Sequence, residues 1–367
     1  MRRLATVVAF LVLSACGRDE STPPVEAQPL PETDNAGVET VLGPREPGPT
    51  QRAIQARGRL NCGIHQGLAG FALADNRGRW QGFDVDFCRA IAAAVLGDAN
   101  AVRFVPLSAR DQFEALRRGR VDVLVRGTPV GVANDAREGA DVAAYTYFDG
   151  QGFLAARGLN LTSAAELSGA RICVEGGSAA ALNVEDYFQR RGLTYEPVGF
   201  ASESEARRSF SEGRCDAVAG QISQLAALRA TLANPDAQVL LPDIIADTAS
   251  GPMVSEDDPQ WRDAVRWITH ALILAEQMGL TRDNVAEQAE SQGSPVEVRR
   301  LLGQSGALGD ALGLRSDWAL RAIGAVGNYG EVFDRNLGPR SVLRLTRGRN
   351  ALWSATPSGL IYAPPAR

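Results

Sequence analysis

Beyond residue 50 or so, short apolar runs alternate with longer stretches in which apolar side chains return every three or four positions. Phe83, Phe87, Ile91 and Val95 recur at every fourth residue while Asp84 and Asp86 fall elsewhere, which predicts a helix with one buried face. The pattern then repeats itself. RGRLNCGIHQG (57–67) leads through a helical stretch to PLSARDQFEALRRGRVDVLV (106–125), and SGARICVEGGS (168–178) leads through another to PVGFASESEARRSFSEGRCDAVAG (197–220). Each copy has a strand ending in a Gly-rich turn, a helix, and a capping signature, Ser108 with Asp111 or Ser202 with Glu205. Each closes on a Gly-Arg-x-Asp step, Gly119–Asp122 or Gly213–Asp216, where glycine can end a helix and the apolar run behind it supplies a buried strand. Strands alternating with helices predict two similar α/β lobes, with a ligand expected between them near the carboxyl ends of the strands.

A third segment begins near Ser250. Trp261, Val265, Ile268, Leu272 and Ala275 form a helical stripe that reads as core, so neither its tryptophans nor His270 is assigned a function. Further helices are expected over 281–325, followed by an extended tail ending near Pro364 and Pro365.

Composition narrows the chemistry. The chain has 367 residues, enough for about two domains. Its 38 Lys and Arg against 43 Asp and Glu argue against a nucleic-acid partner, which needs a broad basic surface. Only two histidines, His65 and His270, are available, so neither a His-rich metal centre nor a Ser-His-Asp triad is expected. No metal or other cofactor is expected, and a two-lobed cleft is a binding device as readily as an enzyme.

The N-terminus changes the picture again. Arg2 and Arg3, the apolar run Ala5 to Leu13 and the small residues Ser14 and Ala15 predict a secretory signal over 1–15. The run is too short for the ~20 residues that cross a bilayer as a helix. Leu13-Ser14-Ala15-Cys16 resembles a bacterial lipobox, making Cys16 the expected lipidation site and membrane attachment point. Residues 17–50 hold seven of the 19 prolines and no aromatic residue, so 16–50 is expected to be a lipidated, Pro-rich, disordered tether. The remaining Cys62, Cys88, Cys173 and Cys215 are even in number in an exported chain, which favours disulfides over metal.

The blocks GFDVDFCRAIAAAVLGD (82–98), FDGQGFL (148–154), LAALRATLANP (225–235), EVRRLLG (297–303) and AVGNYGEVFDRNLGP (325–339) resemble the periplasmic solute-binding proteins of polar amino acid ABC transporters. Within these they resemble the general L-amino-acid-binding branch, and the likeness runs from about residue 54 to the C-terminus. It implies a type II periplasmic binding fold: two lobes, each a mostly parallel sheet flanked by helices, joined by a hinge. Lobe one would comprise 51–149 and 250–367, including a C-terminal helical extension, and lobe two 150–249. It implies pairing within lobes, Cys62 with Cys88 and Cys173 with Cys215. It also implies a monomer, not an enzyme, that delivers a small polar ligand such as an amino acid to an ABC permease in the inner membrane.

Relatives hold a ligand carboxylate with an arginine and its ammonium with an aspartate. Here these positions are Asn134 and Gln221, and Pro129 stands where relatives offer a hydroxyl. The expected ligand-binding set is His65, Leu68, Phe71, Arg126, Gly127, Thr128, Asn134, Gly177, Ser178 and Gln221, with Arg126 or Arg137 as substitutes for the missing cation. Glu175, beside a helix start, would bind a cationic group or merely favour the helix dipole. Two other readings stay open: a degenerate binding-fold lipoprotein with a non-amino-acid ligand or a scaffold role, and a dehydratase on the same fold using Glu175.

Overall fold

The computed structural model describes residues 44–366; the expected signal, Cys16 and most of the expected tether lie outside them. Arg45 N–H already donates to the Asp310 carbonyl at 3.0 Å, and a helix, Pro49–Arg57, follows with Gln51 and Ile54 buried. The chain is therefore docked on the body five residues ahead of Thr50.

Two sheets form two lobes. In lobe one the strand order is Val102–Leu107, Leu60–His65, Val123–Leu124, Met253–Ser255, Ala140–Val142. In lobe two it is Gln238–Leu240, Tyr147–Ala156, Ala217–Gln221, Arg171–Glu175, Glu196–Phe200. The repeated units supply the parallel strands of both sheets, and the strands that enter and leave lobe two add antiparallel pairs, so the sheets are mixed. The Gly-Arg-x-Asp step does the same work in each copy. Gly119 and Gly213 end helices at φ +63° and +75°, a left-handed turn that favours glycine. At the end of the step, Asp122 accepts from Asn61 N–H at 2.7 Å and Asp216 accepts from Arg171 N–H at 2.9 Å, so each aspartate satisfies a donor at the start of the neighbouring strand.

Disulfides join Cys62 to Cys88 and Cys173 to Cys215. The first ties a strand to the helix Phe83–Leu96 and the second joins two neighbouring strands' segments in lobe two. Each closes a loop inside one lobe and leaves the hinge free.

The helix Pro259–Gln277 buries Trp261, Val265, Ile268, Leu272 and Ala275, as the stripe predicts. It packs with Phe83–Leu96 and Trp318–Val326 into the largest core, which also takes in Ala226 and Ala227 from the lobe-two helix Ile222–Thr231. His270 lies at half depth against Trp267, its pKa pushed down to about 4 by burial and then by Arg266. That is a core histidine. No described helix is long and apolar enough to cross a membrane.

Two antiparallel strands connect the lobes: Tyr147–Ala156 runs out and Ala246–Ser250 runs back, with Asp149 opposite Thr248. This ribbon forms the floor of the cleft.

Candidate functional site

Between the lobes lies a cavity of about 180 Å³. Lobe one contributes His65, Leu68, Phe71, Arg126 and Gly127 to its wall, and lobe two contributes Gln221, all expected from sequence. The structure adds Tyr147, Asp149 and Thr248 from the hinge ribbon, and Ser223 and Gln224 from the start of the helix that Gln221 caps. Gln224 was legible in principle, because it follows Gln221 by one helical turn's spacing.

Three expected residues sit elsewhere. Thr128 is buried behind the wall, where its hydroxyl donates to Gln112 and accepts from Arg126. Gly177 lines a separate surface concavity of lobe two. The Ser178 hydroxyl donates to the Glu175 carbonyl at 2.7 Å and accepts from Ala181 N–H at 3.2 Å, so the side chain is committed to capping the helix Ala179–Arg190. Neither Gly177, Ser178 nor Glu175 reaches the cleft wall. Arg137 is exposed and also outside it, which leaves Arg126 as the wall's arginine. The helix Val132–Arg137 carries Asn134, whose side chain lies outside the described residues.

Arg126 is held from behind. Its Nη1 donates to Gln112 Oε1 at 3.1 Å and to Thr128 Oγ1 at 3.2 Å, while Gln112 is fixed by its own bond to the Ala109 carbonyl. Its Nε is shut off from solvent without a hydrogen-bond partner, and no described carboxylate approaches within salt-bridge distance. A guanidinium so placed is disfavoured by burial, and Asp84 offsets this only in part and without direct contact.

Asp84 lies deeper, with Oδ2 also unpartnered. Burial pushes its pKa up to about 7, against the opposing pull of Arg126. A carboxyl whose folded pKa exceeds its unfolded value stabilises the fold most below the unfolded value, and that contribution disappears as pH rises toward the folded one. For Asp84 the window runs from about pH 4 to about 7. Denaturant unfolding of Asp84→Asn and wild type across this window is expected to show the wild type losing ground with rising pH, at up to about 1.4 kcal/mol per pH unit. A constant difference between the two proteins would refute the assignment.

His65 is driven toward its neutral form by burial first, then by Arg126 and Arg207. Its Nδ1 accepts from Gly67 N–H at 3.1 Å, which places the ring proton on Nε2. Asp149 is raised mainly by burial, although Ser223 N–H, Ser223 hydroxyl and Gly150 N–H all donate to it. No cluster that could hold a metal occurs among the described residues.

Residues 60–279 match the model of the bacterial extracellular solute-binding proteins, family 3. The general L-amino acid-binding periplasmic protein of Rhizobium johnstonii is 45% identical over 316 residues, 86% of this chain and 92% of that one. The glutamate/glutamine/aspartate/asparagine-binding protein of Rhodobacter capsulatus is 46% identical over 314 residues, again 86% and 92%. Among solved structures, a periplasmic binding protein of an ABC transporter from Brucella ovis, with glutathione bound, superposes with a TM-score of 0.79 at 43% identity, covering 87% of this chain and 99% of that one.

Proposed function

The chain belongs to family 3 of the bacterial extracellular solute-binding proteins, and from that premise we propose that it is a lipid-anchored periplasmic receptor that closes two lobes on a small polar solute and presents it to an inner-membrane ABC permease. Arg126 carries this reading. A cation on the cleft wall, braced by Gln112 and Thr128 and with Asp84 near but no carboxylate in salt-bridge contact among the described residues, costs stability unless a ligand completes it. The domains that follow from it are a signal over 1–15, a lipidated tether from 16 to about 44, where the chain docks on the body, and lobes that close by bending the ribbon at 147–151 and 246–250. In this reading the receptor works without covalent chemistry, which the relatives named as binding proteins support.

The test is a thermal-shift screen of the mature chain, unfolded and refolded to strip carried-over solute, against amino acids, oligopeptides and small organic acids. A solute at a hundred times its Kd stabilises the fold by about 2.7 kcal/mol. A shift with one chemical class, accompanied by compaction in small-angle scattering, is the expected result. A cleft that stays open against every class would instead favour the scaffold reading. Attachment is tested separately: Cys16→Ser should move the protein from the membrane fraction to the soluble periplasm.

A further inference from the structure

Where lobe two meets the C-terminal segment lies a second concavity, of about 530 Å³, whose lining shares no residue with the cleft. Four arginines line it, from three distant parts of the chain. Arg157 follows the outgoing hinge strand, and Arg229 lies in the last turn of the lobe-two helix Ile222–Thr231. Arg340 and Arg344 belong to the segment whose Leu337, Leu343 and Leu345 are rooted in the largest core.

The guanidinium groups are oriented by neutral partners. Arg157 Nε donates to the Asp236 carbonyl at 2.7 Å, and Arg229 Nη2 donates to the Leu343 carbonyl at 2.6 Å. A carbonyl fixes the direction of a guanidinium and leaves its charge standing, with further N–H groups to offer. One carboxylate lines the concavity, Asp236, and Arg344 pairs with it at 2.8 Å. Arg157, Arg229 and Arg340 form no ion pair among the described residues. The charged form of Arg229 is opposed by burial first, then by Arg344 and Arg157, against the pull of Asp236. The cations are therefore near enough to repel one another, in a chain whose formal charge is -5. Arg344 sits at φ +52°, a backbone region that arginine enters only where its surroundings hold it there. Gln238 lines the same concavity, and its Oε1 is buried with no hydrogen-bond partner. An orphaned acceptor beside gathered cations calls for a ligand that brings both negative charge and an O–H donor.

We infer that this concavity is a second ligand site, which binds a hydroxyl-bearing phosphate group with its oxygens on Arg157, Arg229, Arg340 and Arg344 and its hydroxyl on Gln238. Four cations against one Asp236 leave three positive charges, more than a single carboxylate neutralises. A phosphate brings up to two negative charges and several strong acceptor oxygens, and pairs of them match the guanidinium fork. Held by all four arginines, it ties lobe two to the segment rooted in the largest core.

Titration calorimetry on the mature chain, unfolded and refolded in phosphate-free buffer, tests the site with inorganic phosphate, glycerol 3-phosphate and sulfate. Phosphate or its glycerol ester is expected to bind at least about tenfold more tightly than sulfate, which has the same shape and no hydroxyl at neutral pH. Arg340 is exposed and makes no side-chain bond among the described residues, so Arg340→Gln should leave Tm unchanged while weakening phosphate binding about tenfold or more. Asp236→Asn removes the one competing carboxylate and should tighten binding roughly threefold, a gain that a merely structural cluster would not give. Cosedimentation of the Cys16→Ser chain with phosphatidylglycerol vesicles, against phosphatidylcholine vesicles, separates the sources of phosphate. Sedimentation with the former alone, lost in Arg340→Gln, assigns a lipid headgroup; binding of the free phosphates without it assigns a soluble one, and either supports the site. Sulfate that binds as tightly as phosphate overturns the ligand class. Failure of every probe, or binding that neither substitution alters, overturns the site and leaves the reading of the cleft as it stands.

Discussion

Arg126→Gln is expected to abolish solute binding and, at the same time, to leave the empty protein as stable as wild type or more so. The glutamine amide can still reach toward Gln112 and Thr128, so the packing behind the wall survives. What disappears is a cation with an orphaned Nε and no ion pair among the described residues. Buried charge without a partner is a cost in the empty state, and its removal returns that cost. In the bound state the charge-assisted bonds to the solute are lost, which should weaken binding by about a hundredfold or more. Calorimetry and thermal melts on the same samples check both halves. Asp84 gives a third readout: without Arg126 the charge that opposes the effect of burial is gone, so its titration should move above 7. A variant that binds normally would remove Arg126 from the site. One that melts well below wild type would mean the arginine holds the lobe together.

Much of this was written in the chain. The doubled Gly-Arg-x-Asp steps announced two lobes because each aspartate has the same task, accepting from a backbone N–H at the start of the neighbouring strand, and a task repeated in each lobe leaves a repeated signature. The stripe from Trp261 to Ala275 was legible for the same reason. The site was legible where it sits on the turns at strand ends, as with His65, Phe71, Arg126 and Gln221. It was illegible on the hinge. Asp149 and Thr248 face each other only because two strands about a hundred residues apart pair in one register, and no short-range pattern encodes that register. Ser178 misled for a physical reason as well: a serine at a helix start reads equally as a ligand donor and as a cap, and its bonds to Glu175 and Ala181 make it a cap. Pairing of cysteines followed the family likeness, since four cysteines in sequence allow more than one connectivity.

Asn350→Ala is expected to be the most damaging single change outside the core, and to alter hinge motion as well as stability. Asn350 is 5% exposed, and its side chain bonds both backbone groups of one residue on the outgoing hinge strand: Phe148 N–H donates to Oδ1 at 2.7 Å and Nδ2 donates to the Phe148 carbonyl at 3.0 Å. Around it the C-terminal segment grips the ribbon and lobe two at several points. Tyr329 hydroxyl donates to the Thr146 carbonyl at 2.9 Å, Arg349 pairs with Asp247 on the returning strand, and Arg229 donates to the Leu343 carbonyl at 2.6 Å. The segment is a strap across the hinge, and Asn350 is its central rivet. Alanine would leave a peptide N–H and C=O unsatisfied, a loss of about 2–4 kcal/mol seen as a drop of several degrees in Tm. With the ribbon released on that edge, scattering of the empty protein should report a larger radius of gyration. Asn350→Asp keeps the acceptor for Phe148 N–H but sets a carboxylate against the Phe148 carbonyl, so it should fall between wild type and alanine in stability. A strap that only stabilises would lower Tm in both variants and leave the radius unchanged; one that sets the opening angle must move both together, because the bonds that hold the ribbon are the bonds that resist its bending.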